Sequence, residues 1–317
     1  MTACEPTGTT SGSNVSSARS RKQSSWRTGL GQLNQYNAVE MDVIDSPTAN
    51  PSSNLPRIAI CTPSFNQAPF LDQTIASVLS QGYTNLDYWV QDGGSTDESS
   101  EVLARWAESG LRYAIADDDG QADAINKGFA QVDGEIMAWL NSDDLLLPGS
   151  LEAVGRVFAE QPEVDVVYGH RILVDTEGRD IGRWIMPKHD DEILTWADYV
   201  PQETMFWRRS LWDTVGSQLD ISFRFALDWD LILRFREAGA KFHRIPQFLG
   251  AFRIHEEQKT SAQMESLGDE EMARLRTREQ GRPVTDREVW EHTKPYLVKA
   301  SLYSSMWKLG LVDYGPI

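Results

Sequence analysis

Short apolar runs alternate with polar loops and amphipathic segments along the chain from Arg57 onward. Four times, an apolar run typical of a strand buried on both faces precedes a polar loop and then a segment with the apolar period of a helix. Such strand–loop–helix units, each about 25 residues long, predict a parallel, doubly wound α/β sheet with helices on both faces. Right-handed crossovers bring the four polar loops to one edge of this sheet. The predicted strands are residues 57–62, 86–90, 111–116 and 136–140.

The pattern is less regular after residue 150 and predicts a small antiparallel addition to the sheet. A turn signal at residues 175–178 indicates that the next strand returns antiparallel. The charged C-terminal region has a helical pattern, with large side chains available to pack back onto the domain: Trp290, Tyr296, Leu302, Tyr303 and Trp307. The other predicted elements are helices over 151–160 and from Asp228, strands over 164–174 and 181–186, and edge strands over 241–245 and 249–254.

The polar loops carry the candidate chemistry. Asn66, Asp92, Asp118 and Asp143 each follow one of the four predicted strands, so the sheet topology gathers them around one crevice. Asp143 and Asp144 are adjacent carboxylates after a buried strand, and they repel each other unless a cation or solvent screens them. A divalent cation that also binds a diphosphate suits such a pair. The competing interpretation is an Asp-rich turn that caps the following helix.

Composition narrows the class of protein. The formal net charge of −17 over 317 residues argues against nucleic-acid binding and against binding to anionic membrane surfaces, since both need a basic face. No apolar run approaches the roughly 18 residues of a membrane span. The N-terminus lacks the apolar segment of a signal peptide, and the two cysteines have no metal-binding spacing, which favours the cytoplasm. Residues 1–55 have few large aliphatic side chains and predict a disordered tail.

Six motifs in order over residues 57–260 resemble those of the family 2 glycosyltransferases, which are inverting nucleotide-sugar enzymes of the GT-A fold. The resemblance implies a GT-A domain over 56–260, with a nucleotide-binding half (56–150) and an acceptor-binding half (151–260), and leaves 261–317 as a helical extension. The matching segments are Thr62-Pro63-Ser64-Phe65-Asn66, Gln91-Asp92-Gly93-Gly94-Ser95-Thr96-Asp97, Asp118-Asp119-Gly120-Gln121-Ala122-Asp123-Ala124-Ile125-Asn126-Lys127-Gly128, Trp139-Leu140-Asn141-Ser142-Asp143-Asp144, Leu227-Asp228-Trp229-Asp230 and Phe252-Arg253-Ile254-His255.

By this resemblance, Asp92 accepts a hydrogen bond from the imide N–H of a uracil or thymine, which favours a UDP or dTDP sugar as donor. Pro63 and Phe65 would lie along the base. A loop carboxylate is the alternative for Asp92, and an ordinary surface ion pair with Asp123 is the alternative for Lys127. The other residues assigned to the nucleotide are Asn66, Asp118, Asn126, Lys127, Asn141 and Ser142.

The resemblance also implies a divalent metal site for Mn²⁺ or Mg²⁺. Asn141-x-Asp143 occupies the place of the family's Asp-x-Asp motif, and its amide contributes no charge to a cation. Asp143 then becomes the main carboxylate ligand, with Asp144 as a second ligand or an acceptor-side carboxylate. His255 matches the family histidine that completes such a site, and oxygen and imidazole ligands suit these ions. The alternative for His255 is a histidine satisfied within the protein.

Asp228 is the implied catalytic base. Transfer with inversion needs a carboxylate that takes the proton of the acceptor hydroxyl as its oxygen attacks the anomeric carbon. Trp229 beside it can exclude water and raise the pKa of Asp228. Asp230 is a second candidate base, and helix capping is the alternative role for Asp228. The residues expected to face the acceptor are Gln202, Glu203, Trp229 and Asp230.

The resulting hypothesis is an inverting glycosyltransferase with a saccharide or lipid-linked saccharide acceptor, acting in cell-surface polysaccharide synthesis. It predicts a cytoplasmic protein with no nucleic-acid partner and at most a peripheral association with the inner face of the membrane. Two alternatives remain: a non-catalytic nucleotide-sugar-binding protein of the same fold, and a nucleotidyltransferase. The second would carry a basic, Gly-rich loop after the first strand, where this chain has Pro63-Ser64-Phe65-Asn66-Gln67.

Overall fold

A nine-stranded sheet organises the chain in this computed structural model, which describes residues 54–255 and 267–314. The strand order is β3-β2-β1-β4-β8-β6-β9-β5, with β7 paired to β6. The predicted tail over 1–55 lies outside the described residues except for its last two positions. The strands are β1 Ile58–Ser64, β2 Leu86–Asp92, β3 Arg112–Ile115, β4 Ile136–Trp139, β5 Leu145–Leu146, β6 Val166–Val174, β7 Asp180–Trp184, β8 Phe206–Arg208 and β9 Phe242–Arg253.

Helices cover both faces of the sheet. β1 shows why, because its side chains alternate: Ile58 and Ile60 join the core on one face, and Ala59 and Cys61 join the core on the other. The helices are α1 Ala68–Leu79, α2 Ser99–Ala107, α3 Gln121–Phe129, α4 Ser150–Glu160, α5 Asp191–Leu194, α6 Arg209–Thr214, α7 Leu227–Glu237, α8 Asp269–Gln280 and α9 Asp286–Lys308, with a 3₁₀ turn at Gln202–Thr204.

The first half of the sheet is parallel, as the sequence pattern predicts. β1 pairs in parallel with β2 and with β4, and β2 pairs in parallel with β3. The carboxyl ends of these strands therefore meet at one edge, where the polar loops follow. The doubly wound α/β class is confirmed.

The second half adds antiparallel pairings: β8 with β4 and β6, β7 with β6, and β5 with β9. The prediction of two edge strands after residue 240 is wrong. They form one strand, β9, which lies inside the sheet between β6 and β5. Register shifts around His170 in β6 absorb the extra residues of β9 near Pro246, and a β-bulge is where a strand tolerates proline.

The predicted helical C-terminal region is observed as α8 and α9. Tyr296 is buried, and Tyr303 and Trp307 pack against a small cluster over the second half of the sheet. Trp290 and Leu302 do not pack back, since their exposed fractions are 41% and 59%. None of the described helices is both long enough and apolar enough to cross a bilayer.

Close packing of α3 on β1 depends on Gly128. A Cβ atom at this position would lie 2.1 Å from Sγ of Cys61. We expect Gly128→Ala to lower the free energy of unfolding by about 1–3 kcal/mol, because the helix must move away from the sheet. Urea unfolding measures this change, and the Cys61→Ala/Gly128→Ala double variant, which removes the sulfur, should recover most of it. A single variant as stable as the wild type contradicts this packing.

Candidate active site

The loops after β1 and β2 are tied together around Asp92. This residue is fully buried, and its carboxylate accepts hydrogen bonds from the backbone N–H of Gly94 (3.1 Å) and Ser95 (2.8 Å) and from the Ser95 hydroxyl (2.7 Å). Oδ1 of Asn66 accepts from the N–H of Thr96 at 2.8 Å. Both side chains order the loops in this geometry, and the contact of Asp92 with a base stays a prediction.

Two glycines let the loop after β2 approach the loop after β3. A Cβ on Gly93 would lie 2.5 Å from Oδ2 of Asp118, and a Cβ on Gly94 would lie 2.7 Å from Oδ1 of Asp117. Gly94 also has a φ of 83°, a conformation that favours glycine. Asp118 is held by the N–H of Gly120 at 2.8 Å, at the start of α3. The close approach places Asp118 beside the Asp92 loop.

The two residues assigned to the base after β1 have different surroundings. Phe65 is 58% exposed and open to a planar ligand. Pro63 is buried within β1, where it pairs with Gln91 of β2. The structure therefore offers Phe65 at the surface and encloses Pro63 in the sheet.

Two polar side chains of α3 are engaged by the protein itself. Lys127 forms an ion pair with Asp123 at 2.7 Å and donates to the carbonyl of Asp117 at 2.9 Å. Asn126 exchanges two hydrogen bonds with the backbone of Leu219, at 2.8 and 3.0 Å. The surface-pair alternative for Lys127 is thus present, and Asn126 joins α3 to the segment before α7.

Asp143 and His255 meet at the end of β4. Nε2 of His255 lies 3.1 Å from Oδ2 of Asp143, and its ring packs against Phe70 of α1 with the ring centroids 4.7 Å apart. Asn141 accepts from Nε2 of Gln121 at 2.8 Å and lies 3.2 Å from Oε1 of Gln202. The structure therefore brings together the predicted metal pair and joins Asn141 to both halves of the domain.

Ser142 and Asp144 turn into the protein. The backbone carbonyls of both accept from the Thr74 hydroxyl of α1, at 2.9 and 2.8 Å. The Asp144 carboxylate accepts from the N–H of Arg253 at 3.1 Å and lies 3.3 Å from the amide nitrogen of Asn141. Burial, together with the charges of Asp143 and Glu203, raises the pKa of Asp144 well above its usual range. The geometry thus does not present Asp144 as a metal ligand.

The side chains of Gln202 and Glu203 are both engaged by other residues of the protein. Both are buried, and Nε2 of Gln202 donates to the carbonyl of Trp139 at 2.9 Å. The Glu203 carboxylate binds the guanidinium of Arg171 in β6 through two hydrogen bonds, one of them 2.8 Å long. Neither side chain is free to bind an acceptor in this geometry, although both were expected to face one.

Asp228 sits in the first turn of α7, in the same electrostatic environment as Arg171 and Glu203. Loss of hydration raises its pKa to about 6, and hydrogen bonds from the backbone N–H groups of Trp229 and of Asp228 itself, followed by the charge of Arg171, limit the rise. Oδ1 accepts from the N–H of Trp229 at 2.9 Å. Asp228 is half-buried, so water and a ligand still reach it. A carboxyl with this pKa can take up and release a proton near neutral pH.

Asp198 lies close enough to Asp228 to feel its charge, and Asp198 is exposed at the surface. Loss of hydration, followed by the charge of Asp228, nevertheless raises the pKa of Asp198 well above its usual range. Sequence reasoning missed both Asp198 and Arg171. Arg171 had a signal, since it interrupts the apolar run of β6, whereas nothing in its sequence context distinguishes Asp198.

Trp229 and Asp230 point away from Asp228. Trp229 is fully buried and donates to the carbonyl of Leu194 at 2.9 Å. Asp230 is 2% exposed and forms ion pairs with Arg234 (2.9 Å) and Arg278 (2.5 Å). The structure does not bring either residue to the acceptor side of the site.

Within the described ranges, no three His, Cys, Asp or Glu side chains surround a common point that could hold a metal ion. Asp143 and His255, which are in contact, would offer a cation two protein ligands. A cation that also binds diphosphate oxygens needs no more than that. The residues present therefore fit a cation carried with a diphosphate better than an ion held by protein ligands alone.

The fold and the loops at its carboxyl edge define a glycosyltransferase-type α/β domain. The model of the family described as "Glycosyl transferase family 2" matches residues 59–218, just over half of the chain. The chain belongs to this family, which confirms the resemblance inferred from the motifs.

Similar sequences carry related names. The O-antigen biosynthesis protein RfbC of Myxococcus xanthus is 30% identical over 200 residues, which cover 62% of this chain and 16% of that protein. The PGL/p-HBAD biosynthesis glycosyltransferase of Mycobacterium tuberculosis is 30% identical over 183 residues, covering 56% of this chain and 69% of that protein. The chain thus spans about two thirds of some relatives and a small part of others.

Solved structures confirm the GT-A fold. TarS of S. aureus in complex with UDP-GlcNAc aligns with a TM-score of 0.57 at 15% identity, covering 76% of this chain and 71% of that one. The mannosyltransferase PcManGT of Pyrobaculum calidifontis, in complex with GDP-Man and Mn²⁺, aligns with a TM-score of 0.56 at 17% identity, covering 91% and 87%.

Because Asp228 and Asp230 have different surroundings, we expect their replacement by Asn to have different effects on the free energy of unfolding at pH 7.5. Asp230→Asn should lower the free energy of unfolding by about 2 kcal/mol, because it weakens a buried carboxylate's pairing with two arginines. Asp228→Asn should leave stability unchanged or raise it. The pKa of about 6 lies above the ordinary carboxyl value, so ionisation of Asp228 costs stability as pH rises through 6.

Urea unfolding of the two variants measures this contrast, with the wild type at pH 5 and 7.5 as reference. Equal destabilisation by both substitutions would show that Asp228 is also held as an ion-paired carboxylate.

Proposed function

We propose that the chain transfers a sugar from a nucleoside-diphosphate sugar to a hydroxyl of a saccharide or lipid-linked saccharide, with inversion at the anomeric carbon. Membership of glycosyl transferase family 2 supports the reaction class. The observation that carries the mechanism is Asp228, a half-buried carboxyl with a pKa of about 6 that interacts electrostatically with Asp198 and with the Arg171–Glu203 pair. The named relatives support a role in polysaccharide or glycolipid synthesis.

The proposed reaction is a single displacement. The acceptor hydroxyl donates its proton to the Asp228 carboxylate while its oxygen forms a bond to the anomeric carbon. The bond from that carbon to the diphosphate breaks, and its electron pair leaves with the nucleoside diphosphate. Hydrogen bonds from the backbone N–H groups of Trp229 and Asp228, followed by the charge of Arg171, keep the pKa of Asp228 from rising further, so that the base is ionised at neutral pH.

Asp143 and His255 are the residues proposed to hold a divalent cation, Mn²⁺ or Mg²⁺, together with the donor diphosphate. When bound, the cation neutralises charge on the leaving diphosphate. The structure of PcManGT with GDP-Man and Mn²⁺ supports a metal in a protein of this fold. Asn141 replaces a charged ligand by an amide, and its hydrogen bond from Gln121 leaves it suited to orient the donor rather than to bind the metal.

The donor proposal rests on the loops after β1, β2 and β3. Phe65 is available to cover a base, and Asp118 lies beside the Asp92 loop. TarS binds UDP-GlcNAc and PcManGT binds GDP-Man, which supports a nucleotide sugar. The assignment of Asp92 to an imide N–H favours UDP or dTDP. The proposed location is the cytoplasm, at the inner face of the membrane if the acceptor is lipid-linked.

Replacing the proposed base should abolish transfer without loss of donor binding. We expect Asp228→Asn to lower kcat by about 100- to 10,000-fold, the usual contribution of a general base. The wild-type rate should rise about tenfold per pH unit below pH 6 and level off above it, because only ionised Asp228 accepts the proton. Radiolabelled sugar transfer measures both effects, with nucleotide affinity measured by calorimetry as the control. Full activity of this variant removes Asp228 from its role.

The proposed metal pair predicts a chelator-sensitive affinity for nucleoside diphosphates. Asp143→Ala should weaken Mn²⁺-dependent binding of UDP by at least about tenfold, because it removes the charged ligand. Titration calorimetry with Mn²⁺ and with EDTA measures the change. Asp119→Ala is the matched control, since Asp119 is an exposed carboxylate of the neighbouring loop. Equal affinity of the wild type and Asp143→Ala under both conditions rejects the site.

A further inference from the structure

A line of apolar side chains runs along the outer face of α9. Val298, Leu302 and Met306 follow one another at intervals of four residues, so they lie on one face of the helix. Their exposed fractions are 50%, 59% and 38%. Leu309 and Leu311, just after the helix, are also exposed. We call the five residues the α9 stripe.

The stripe is exposed because the opposite face of α9 holds the helix to the domain. Tyr296 packs against Tyr199 with the ring centroids 4.4 Å apart, and Trp307 packs against Phe248 at 5.9 Å. Arg183 of β7 lies 4.9 Å from the centre of the Trp307 ring. The helix is thus anchored by one set of aromatic side chains while a second apolar set faces outward.

The segment that carries the stripe has a charge opposite to that of the whole chain. No Asp or Glu occurs between Glu291 and Asp313, and the charged residues in that interval are Lys294, Lys299 and Lys308. Lys294 and Lys299 are exposed, and helix geometry puts them on opposite sides of the stripe. The rest of the chain therefore carries a net charge of −20.

We propose that the α9 stripe and its flanking lysines dock the protein onto the surface of an anionic lipid bilayer. The apolar side chains enter the boundary between headgroups and acyl chains, and the lysine stems extend along it so that their ammonium groups reach the phosphates. Charges farther than about 10 Å from the surface are screened at physiological salt, so the local lysines outweigh the distant acidic residues.

The charge pattern favours a bilayer over a second copy of the chain as the binding partner of the α9 stripe. A symmetric dimer through this face would bring the stripes of both copies together, and with them their lysines, without any acidic side chain inside the stripe to pair with them. An anionic bilayer supplies the missing negative charge. α9 also contacts Tyr199, the residue that follows Asp198 in the chain.

Flotation of the full chain with vesicles tests the proposal without any sugar donor, so the result is independent of transfer activity. One set of vesicles contains phosphatidylcholine alone. The other contains phosphatidylcholine with about 30% phosphatidylglycerol, an anionic lipid that attracts basic segments. We expect binding to the anionic vesicles that weakens with added salt, and much weaker binding to the neutral ones.

Two double variants separate the apolar and the charged contributions. Val298→Ser/Leu302→Ser should lower the vesicle partition coefficient at least about tenfold. Lys294→Gln/Lys299→Gln should lower it about 25-fold on anionic vesicles, about fivefold per lysine, and little on neutral ones. The matched controls are Ile221→Ser, an exposed isoleucine outside α9, and Lys241→Gln, an exposed lysine outside α9; both should bind as the wild type does.

Two results would overturn the proposal. One is a wild-type chain that fails to float with anionic vesicles. This result would overturn the proposal whether the chain is a monomer or a dimer, including a dimer that light scattering shows to dissociate in the Val298→Ser/Leu302→Ser variant. The other is binding that both double variants retain in full.

Discussion

The arrangement of the site depends on one buried guanidinium group, that of Arg253 at the end of β9. It donates to the carbonyl of Asp143 (2.9 Å), to the carbonyls of Asp175 and Thr176 in the turn between β6 and β7, and to Oε1 of Gln73 in α1. The side chain is fully buried and lies over the ring of Phe70. One residue therefore fixes the loop after β4 against both halves of the domain and leaves the Asp143 carboxylate directed at His255.

A second arginine sets the electrostatics of the crevice. Arg171 is bound in a bidentate manner to Glu203 and lies 4.5 Å from the centre of the Phe252 ring. Burial raises the pKa of Asp144, Asp198 and Asp228, and the charge of Arg171 lowers all three. For Asp228, hydrogen bonds from the backbone N–H groups of Trp229 and Asp228 lower the pKa more than Arg171 does, and the value of about 6 results from all these contributions together. A protein with a large excess of acidic residues thus keeps a cluster of carboxyl groups together by placing one compensated cation among them.

Sequence patterns predicted the parallel half of the fold because each of its strands is a short, continuous apolar run followed by polar residues. They failed at β9, where Pro246 and Gln247 look like an interruption between two strands, although with the bulged partner β6 the whole segment forms one strand. At α7, successive side chains point about 100° apart. Asp228, Trp229 and Asp230 therefore could not all point the same way, and only the structure shows that Asp228 is the partly exposed one of the three.

The prediction of an Asp143–His255 pair joined residues 112 positions apart, and the two side chains are in contact. Asp144 shows the limit of the same reasoning, since an adjacent carboxylate in sequence is turned inward by Arg253 and Asn141. Asp198 could not be predicted at all, because its significance comes from the neighbouring Asp228 and not from its own segment. Motifs identified the edge of the sheet that matters, whereas the orientation of each side chain there depends on contacts made elsewhere in the chain.

A crystal structure with a nucleoside diphosphate and Mn²⁺ tests the central claim most directly, with UDP, dTDP and GDP each tried as the nucleotide. The account predicts the diphosphate and the metal at Asp143 and His255, the base beside Phe65 and the Asp92 loop, and Asp228 facing the space where the sugar would extend. A nucleotide bound away from the carboxyl ends of β1, β2 and β4, or a metal that contacts neither Asp143 nor His255, would contradict it.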